Sequence, residues 1–168
     1  ALRLGEISAD ARMTLLDIHN LRVEFPGRHG TFVAVNGADL QVAPGEIHGL
    51  VGESGAGKST IGAAVMGLLD APGRIADGEI GFRGETISGL DRDAMRALRG
   101  RRISMIFQDP LTSLNPLFTV REQLVETITE TLGVSKSDAN GRARALIDRV
   151  GIPDPETRLD QYPHQFSG

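Results

Sequence analysis

The chain carries one stretch whose residues constrain the rest of the fold, and it reads Leu50-Val51-Gly52-Glu53-Ser54-Gly55-Ala56-Gly57-Lys58-Ser59-Thr60. From Gly52 to Ser59 it fits the pattern G-x-x-x-x-G-K-[ST] at every fixed position. Glycine adopts backbone conformations that other residues avoid and has no side chain to obstruct a ligand, so successive N–H groups can curl around phosphate oxygens. The stretch therefore predicts a phosphate-binding loop, called the P-loop below.

The P-loop pattern also assigns chemistry to individual residues. Lys58 would bridge the β- and γ-phosphates of a nucleotide and take part in catalysis, and the Ser59 hydroxyl would ligate Mg²⁺. Only Lys58 and Lys136 are lysines among the 18 lysines and arginines, and a compact ammonium suits a small phosphate pocket better than the planar fork of arginine. The residues predicted to bind the nucleotide are Gly52, Glu53, Ser54, Gly55, Ala56, Gly57, Lys58, Ser59 and Thr60.

The sequence on either side of the P-loop has the pattern that the motif requires. The apolar run Ile47–Val51 predicts a short buried strand, within which His48 is expected to be a hydrogen-bonded core residue and not a catalytic base. Apolar residues then recur at helical spacing between Ile61 and Leu69, which predicts a helix whose N-terminus points its partial positive charge at the same phosphates. Strand, loop and helix follow one another in the expected order.

The remaining patterns predict a mixed α/β chain. Residues 1–13 precede the first strand pattern and are interpreted as a leader without assigned function. Two strands are expected over Leu15–Phe25, with a break at His19-Asn20, and over Phe32–Val42, with a turn between them. Three short elements should follow: a strand over Gly78–Phe82, a helix over Asp91–Leu98 capped by Asp91, and a strand over Ile103–Phe107.

Two amphipathic helices are predicted in the last third of the chain. Gly133 and Gly151 are the expected stops, because glycine readily ends a helix in the left-handed conformation. The buried face of the first helix should carry Val120, Leu124 and Ile128, and that of the second Ala143, Leu146, Ile147 and Val150.

Composition excludes several classes of function. The chain has 168 residues and no cysteine, so disulfides, thiolate metal sites and a cysteine nucleophile are excluded, and its four histidines lack the spacing of zinc ligands. No apolar run of about 18 residues and no secretory signal is visible, which indicates a cytoplasmic protein. The net charge of −4 argues against a general nucleic-acid binder.

One basic cluster needs separate interpretation. It consists of four arginines flanked by Asp91 and Asp93, and no aromatic residues interleave with them. A solvated helix face is therefore favoured over a nucleic-acid contact. The four residues are Arg96, Arg99, Arg101 and Arg102.

Three segments together resemble one family. Ile106–Pro116, reading IFQDPLTSLNP, resembles the Q-loop of ATP-binding cassette (ABC) proteins in the form typical of the peptide and nickel importer subfamily. Leu50–Thr60 and Tyr162–Gly168, reading YPHQFSG, resemble the same subfamily, and no Asn-Lys-x-Asp motif of GTPases appears. The resemblance implies an α/β P-loop NTPase fold of ABC ATPase type with an N-terminal antiparallel β subdomain. Residues 14–168 would form an incomplete ATP-binding domain, with a helical lobe over 114–168 and the C-terminal part of the core absent.

The resemblance implies further site residues. Gln108 would reach Mg²⁺ or the attacking water with its amide oxygen while its loop contacts a membrane partner. Phe25 matches the aromatic position that stacks on adenine, although it could instead pack in the first sheet and leave Phe32 or His29 to face the base. Ser167 and Gly168 resemble the start of the L-S-G-G-Q signature, which would close over ATP held by the opposite subunit.

At the level of function, the resemblance implies the ATP-binding subunit of a peptide importer on the inner face of the cell membrane. ATP and Mg²⁺ are the expected cofactors. The expected partners are a second ATP-binding subunit, transmembrane permease subunits and, indirectly, a substrate-binding protein, with no nucleic acid.

The sequence ends before the Asp-Glu strand and the histidine of the family, so the chain as given is expected to bind Mg-ATP weakly, to expose apolar sheet edges and not to turn ATP over. Two alternatives stay open. One is a non-transport cassette ATPase of DNA repair or translation, and the other is a non-catalytic nucleotide-binding module.

Overall fold

The computed structural model describes residues 14–108 and 113–166, which divide into two compact units. The first unit ends at Arg99 and the second begins at Gly100. The predicted leader over residues 1–13 lies outside the described residues. None of the helices within the described ranges has the length and apolar character needed to cross a membrane.

The first unit is built on an antiparallel sheet. Its strands are β1 (Leu16–Gly27), β2 (Gly30–Val42), β3 (Arg74–Phe82) and β4 (Glu85–Thr86), arranged in the order β2-β1-β3-β4. The two predicted N-terminal strands are confirmed, and the strand expected over residues 78–82 is the second half of β3. The break in β1 is also present, because the pairing with β2 and β3 shifts register around residues 19 and 20.

The core of this unit lies along β1, which pairs on both sides. Ile18, Leu21 and Val23 of β1 and Ile80 of β3 are at most 1% exposed, and Ile18 lies directly opposite Ile80. Full burial of such a side chain contributes about 1.5–3 kcal/mol. The central strand therefore holds the sheet together.

Two helices complete the first unit. The first, α1 (Lys58–Val65), begins three residues before the predicted start at Ile61 and ends four residues before Leu69. It stops early because Gly67 turns the chain with a φ of 59°. The second, α2 (Arg92–Leu98), is capped as predicted, since the Asp91 carboxylate accepts a hydrogen bond of 2.8 Å from the Ala94 N–H.

The interpretation of the arginine cluster as a solvated helix face is wrong for Arg99. Its guanidinium donates from Nε to the Met66 carbonyl and from Nη2 to the Gly67 carbonyl, both at 2.7 Å. These carbonyls lie at the C-terminus of α1, where unpaired acceptors and the helix dipole favour a cation. Arg99 thus ties the end of α2 to the end of α1, whereas Arg96 and Arg101 are exposed.

Two strands predicted from apolar runs do not form. Residues 47–51 and 104–107 are not assigned to any strand, and the Ile47, Val51 and Ile106 side chains are 99%, 91% and 91% exposed. A strand needs a hydrogen-bonded neighbour, and no strand among the described residues pairs with either segment. The prediction that His48 is buried in the core is wrong for the same reason, since the residue is exposed. The predicted hydrogen bond is present, because His48 Nδ1 lies 3.1 Å from a Glu46 carboxylate oxygen.

The second unit is helical. It contains α3 (Val120–Leu132), α4 (Lys136–Arg149) and α5 (Pro155–Leu159), followed by a 3₁₀ turn over Pro163–Gln165. Helix α3 begins with a capping box between Thr119 and Glu122. Its C-cap is Gly133, the residue that was predicted to stop it. The buried residues of its hydrophobic core are Val120, Ile128, Ala139, Ala143, Ile147 and Leu159.

The predicted apolar face of α4 is correct for two residues and wrong for two. Ala143 and Ile147 are buried, but Leu146 and Val150 are 43% and 68% exposed. The buried stripe runs through Ala139, four residues before Ala143, so it faces α3 with small side chains that permit close packing. Leu146 and Val150 lie to one side of this stripe.

Candidate functional site

The P-loop turns sharply at two glycines. Gly55 and Gly57 adopt φ values of 84° and 83°, a left-handed conformation that other residues rarely adopt. Gly57 also lies against β2, since a Cβ placed on it would be 2.5 Å from the Ala34 carbonyl oxygen. The chain can therefore enter α1 along this path only with glycine at position 57.

Lys58 folds back over the loop that it follows. Its ammonium donates hydrogen bonds to the carbonyls of Gly52 and Glu53 at 2.8 and 2.6 Å. An ammonium has three N–H donors, so these two bonds leave one for a further acceptor. The bonds hold the positive charge over the start of the loop.

The N-terminus of α1 adds a second source of positive potential. Gly57 precedes the helix without a side-chain cap, and the first turn carries no acidic residue in this described segment. The N–H groups there keep their partial positive charge, which favours a phosphate group. The Ser59 side chain lies in the same turn and is exposed, and Thr60 is half-buried.

The donor set suits a nucleotide with Mg²⁺. Backbone N–H groups, one ammonium and one hydroxyl are ligands for phosphate and for a hard cation. Within residues 14–108 and 113–166 no cluster of three or more His, Cys, Asp or Glu could hold a metal ion alone. Mg²⁺ in nucleotide sites takes few protein ligands and shares the phosphate oxygens, so the residues present fit it.

The aromatic residues next to the first turn differ in exposure. Phe25 and Phe32 are direct partners across the β1–β2 hairpin. The Phe25 ring is half-buried against Gly73, since a Cβ on that glycine would lie 2.5 Å from the ring, whereas Phe32 is 65% exposed. His29 is exposed in the turn. The packing of Phe25 matches the alternative interpretation of this residue, and the adenine-stacking role stays a prediction.

The remaining predicted site residues are Gln108, Ser167 and Gly168. Gln108 is exposed and is the last described residue before the segment 109–112. Ser167 and Gly168 lie outside the described residues. The structure therefore brings together the P-loop residues 52–60, while the roles of Gln108, Ser167 and Gly168 stay predictions.

Sequence reasoning missed a charged cluster around Arg121. The Arg121 side chain is 23% exposed and donates from Nε to the Asp160 carboxylate at 2.5 Å, from Nη1 to Asn140 at 2.9 Å and from Nη2 to Glu156 at 3.3 Å. Hydrogen bonding to Arg121 holds the pKa of Asp160 below its ordinary value, and the same bond raises the pKa of Arg121. Its partners lie 19 to 39 residues away, so no short-range spacing signals the cluster.

A family model described as ABC transporter matches residues 35–168. The chain belongs to the ABC transporter family. The resemblance inferred from the P-loop, Q-loop and signature segments is thereby confirmed.

Curated relatives carry peptide-transport names. The dipeptide transport ATP-binding protein DppD of Haemophilus influenzae is 46% identical over 156 residues, which are 93% of this chain and 47% of that protein. The DppD protein of Escherichia coli is also 46% identical, over 93% of this chain and 48% of that protein. A putative peptide import ATP-binding protein of Brucella abortus is 44% identical over 94% of this chain and 48% of its own length. The chain spans about half the length of the curated relatives it matches.

Solved ABC cassettes share the fold. The dimeric structure of MJ0796, a bacterial ABC transporter cassette, superposes with a TM-score of 0.77 at 22% identity over 91% of this chain and 63% of that chain. A dimeric post-hydrolysis state of the same cassette, bound to ADP and Pi, superposes with a TM-score of 0.77 at 21% identity over 90% of this chain and 63% of that chain. The predicted α/β ABC ATPase fold, with its antiparallel sheet and helices, is confirmed.

Proposed function

We propose that this ABC family chain is the ATP-binding part of an importer subunit that couples ATP binding and hydrolysis to the uptake of peptides. The observation that carries the proposal is the Lys58 ammonium, held over the P-loop by the Gly52 and Glu53 carbonyls at the start of α1. The names of the relatives support peptides as the transported class.

The P-loop residues would bind and orient the triphosphate. N–H groups from Gly52 to Gly57 would donate hydrogen bonds to the phosphates, and the Lys58 ammonium would supply a positive charge to the β- and γ-phosphates. The Ser59 hydroxyl and the Gln108 amide oxygen are the proposed Mg²⁺ ligands. Mg²⁺ supplies charge neutralisation at the transferring phosphoryl group.

Adenine recognition is proposed for Phe25, with the exposed Phe32 as the alternative. Stacking of a base on an aromatic ring contributes about 1–3 kcal/mol. Replacement of each ring by leucine, with the affinity for ATP measured for each variant, identifies the residue that stacks. Only replacement of the stacking residue should lower the affinity for ATP by about the stacking contribution of 1–3 kcal/mol.

The proposed assembly pairs this subunit with a second ATP-binding subunit. Ser167 and Gly168 would then contact the ATP held by that second subunit, and permease subunits would place the assembly on the inner face of the membrane. The dimeric cassette of MJ0796 and the import names of the relatives support this arrangement. A substrate-binding protein would deliver the peptide.

The second lysine of the chain provides a matched control for the binding test. Lys58→Ala removes a charge in the P-loop, whereas Lys136→Ala removes the same charge at the exposed start of α4. Titration with a fluorescent ATP analogue and Mg²⁺ should show a loss of roughly tenfold to hundredfold for Lys58→Ala, since a hydrogen bond to a charged group is worth about 1.5–3 kcal/mol. Lys136→Ala should bind like the unaltered chain. Equal affinities for the two variants would refute the proposed site.

The transport step needs a separate test. The protein as its gene encodes it in full, assembled with its permease in proteoliposomes, should take up a labelled dipeptide in the presence of ATP. Lys58→Ala in the same assembly should abolish uptake. Uptake that persists in this variant would contradict the coupling of transport to this P-loop.

A further inference from the structure

A glycine next to the first hairpin leaves room for an aromatic ring. Gly73 directly precedes β3, and a Cβ placed on it would be 2.5 Å from Cε1 and 2.9 Å from Cζ of Phe25. Carbon atoms that are not bonded to each other pack best at about 3.5–4.0 Å. Gly73 does not have a positive φ, so the space taken by the ring, and not the backbone conformation, requires glycine here. Any side chain at position 73 would displace the outer end of the Phe25 ring.

Gly73 is held in place from both sides. Its N–H donates to the Asp70 carbonyl at 2.7 Å, which closes a turn in front of β3. On the other side, Arg74 is the direct partner of Glu24 on β1, and its guanidinium lies 3.3 Å from the Glu24 carboxylate. The turn and the ion pair keep Gly73 beside Phe25. The position of the glycine therefore determines where the ring can lie.

Phe25 and the P-loop lie on the same side of the sheet. A Cβ placed on Gly57 would be 3.2 Å from Cγ2 of Val35, and Val35 is the direct partner of Val23 on β1. Side chains of directly opposite residues share a face of the sheet, and so do side chains two residues apart on one strand. Phe25 follows Val23 by two residues, so its side chain is on the face that the P-loop contacts.

The distance between the ring and the P-loop suits a nucleotide. Gly57 packs against the Ala34 carbonyl, and Phe32, the partner of Phe25, lies two residues from Ala34 along β2. Two residues of a strand span about 7 Å. A nucleotide whose phosphates occupy the P-loop would extend its base over such a distance. The Phe25 ring is half-buried, so part of its surface stays accessible to the base.

We propose that Gly73 is a positioning residue for nucleotide recognition, which leaves the Phe25 ring in the orientation that stacks on the adenine of ATP because it has no side chain. This inference rests on the proposed function, in which Phe25 is the stacking residue. It predicts that Gly73 governs the affinity for the base and leaves the affinity for the phosphates unchanged.

Two ligands separate the base from the phosphates. Binding of Mg-ATP and of Mg-tripolyphosphate, which has no base, is measured by isothermal titration calorimetry on the full-length protein. Gly73→Ala should lower the affinity for ATP about fivefold to hundredfold, because a displaced ring loses its stacking contribution. The affinity for tripolyphosphate should stay within about twofold of that of the unaltered protein. A general loss of structure would lower both affinities, so a loss for ATP alone is the signature of positioning.

Gly81 supplies a matched control in β3. A Cβ placed on Gly81 would be 3.7 Å from the Asp17 Cβ and carbonyl oxygen, which is an ordinary contact distance. Gly81→Ala should therefore bind both ligands like the unaltered protein. An equal loss of ATP affinity in Gly81→Ala and Gly73→Ala would overturn the inference, since the loss would then not depend on contact with the ring.

A double variant shows whether Gly73 acts through Phe25. Phe25→Leu removes the outer ring atoms that a Cβ at position 73 would meet, and the other close atom, the Asp70 carbonyl oxygen, belongs to an exposed turn that can shift. The protein with both Phe25→Leu and Gly73→Ala should fold and bind ATP as strongly as Phe25→Leu alone. This comparison keeps the test open if Gly73→Ala alone fails to fold. A double variant that is unfolded, or that binds ATP more weakly than Phe25→Leu, would overturn the inference.

The outcomes separate this inference from the proposed function. Lys58→Ala should lower the affinity for both ligands, because the ammonium would bind phosphate. If Lys58→Ala loses both ligands while Gly73→Ala or Phe25→Leu binds ATP normally, the role of Gly73 alone is overturned. If Lys58→Ala binds both ligands like the unaltered protein, the proposed function itself is wrong.

Discussion

Gly57 lies so close to Ala34 that a single Cβ on the glycine would come within 2.5 Å of the Ala34 carbonyl oxygen. Ala34 belongs to β2, and Gly57 is the residue from which α1 starts. Strand β2 of the antiparallel sheet therefore packs directly against the end of the P-loop. The tight contact sets the position of the helix N-terminus that would face the phosphates.

Gly57→Ala tests this contact. We expect the free energy of unfolding to fall by about 2–5 kcal/mol, because the left-handed φ of 83° and the close Ala34 carbonyl both oppose a Cβ at this position. We expect the affinity for nucleotide to fall as well. Gly49→Ala is the matched control, since a Cβ there meets no atom within 4 Å. Urea unfolding and ATP-analogue titration check both variants. A Gly57→Ala protein that binds and unfolds like the Gly49→Ala protein would contradict the prediction.

Arg99→Ala should destabilise the first unit. The variant leaves the Met66 and Gly67 carbonyls at the end of α1 without their guanidinium partner, at a cost of about 1–3 kcal/mol. Arg96→Ala, which removes an exposed arginine from the preceding helix α2, should change the free energy of unfolding by less than about 0.5 kcal/mol. Thermal unfolding measures the difference, and equal melting temperatures would show that the α1 contact contributes nothing.

Gly141→Ala should stabilise the second unit. Gly141 lies inside α4, is exposed and has no atom within 4 Å of the position that a Cβ would take. Alanine loses less backbone entropy on folding than glycine, so the free energy of unfolding should rise by about 0.5–1 kcal/mol. Gly133→Ala is the contrasting variant, because the φ of 65° at that C-cap favours glycine, and it should be destabilising. A fall in melting temperature for Gly141→Ala would refute the prediction.

Acid should weaken the contact between α3 and Asp160. Arg121 lowers the pKa of the Asp160 carboxyl below its ordinary value of 3.8, so the folded protein binds this proton more weakly than the unfolded chain. The stabilisation is complete above that ordinary value and is lost as the pH falls through the lower pKa of the folded state. The melting temperatures of the unaltered protein and Asp160→Asn should therefore converge below pH 3.8.

Local pattern was sufficient for the elements whose signals are short-range. The β1–β2 pair, the Asp91 cap of α2 and the Gly133 stop of α3 were all predictable, because alternation, capping and left-handed turns depend on residues only a few positions apart. The P-loop was predictable for the same reason, since its glycines and its lysine lie within eight residues. These features were sufficient to predict the fold class and to propose a candidate nucleotide site.

Apolar runs were less informative, because burial depends on a neighbour that the run does not encode. Ile47 and Val51 are as apolar as the residues of β1, yet they are almost fully exposed where no described strand pairs with them. Leu146 and Val150 fit a helical period, but the small residues of α4 are the ones that face α3. Pattern alone could not tell these cases apart.

The amino-acid order alone was enough to establish a P-loop ahead of a helix, an antiparallel pair of strands and membership of a cassette family, since each depends on local backbone chemistry or on contiguous motifs. Only the tertiary structure revealed what Arg99 and Arg121 do. Arg99 binds Gly67, which lies 32 residues away in the sequence, and Arg121 binds Asp160, which lies 39 residues away. A guanidinium binds such acceptors because folding places them near its N–H groups. A sequence shows which side chains are charged, but only the folded chain shows which acceptors each of them contacts.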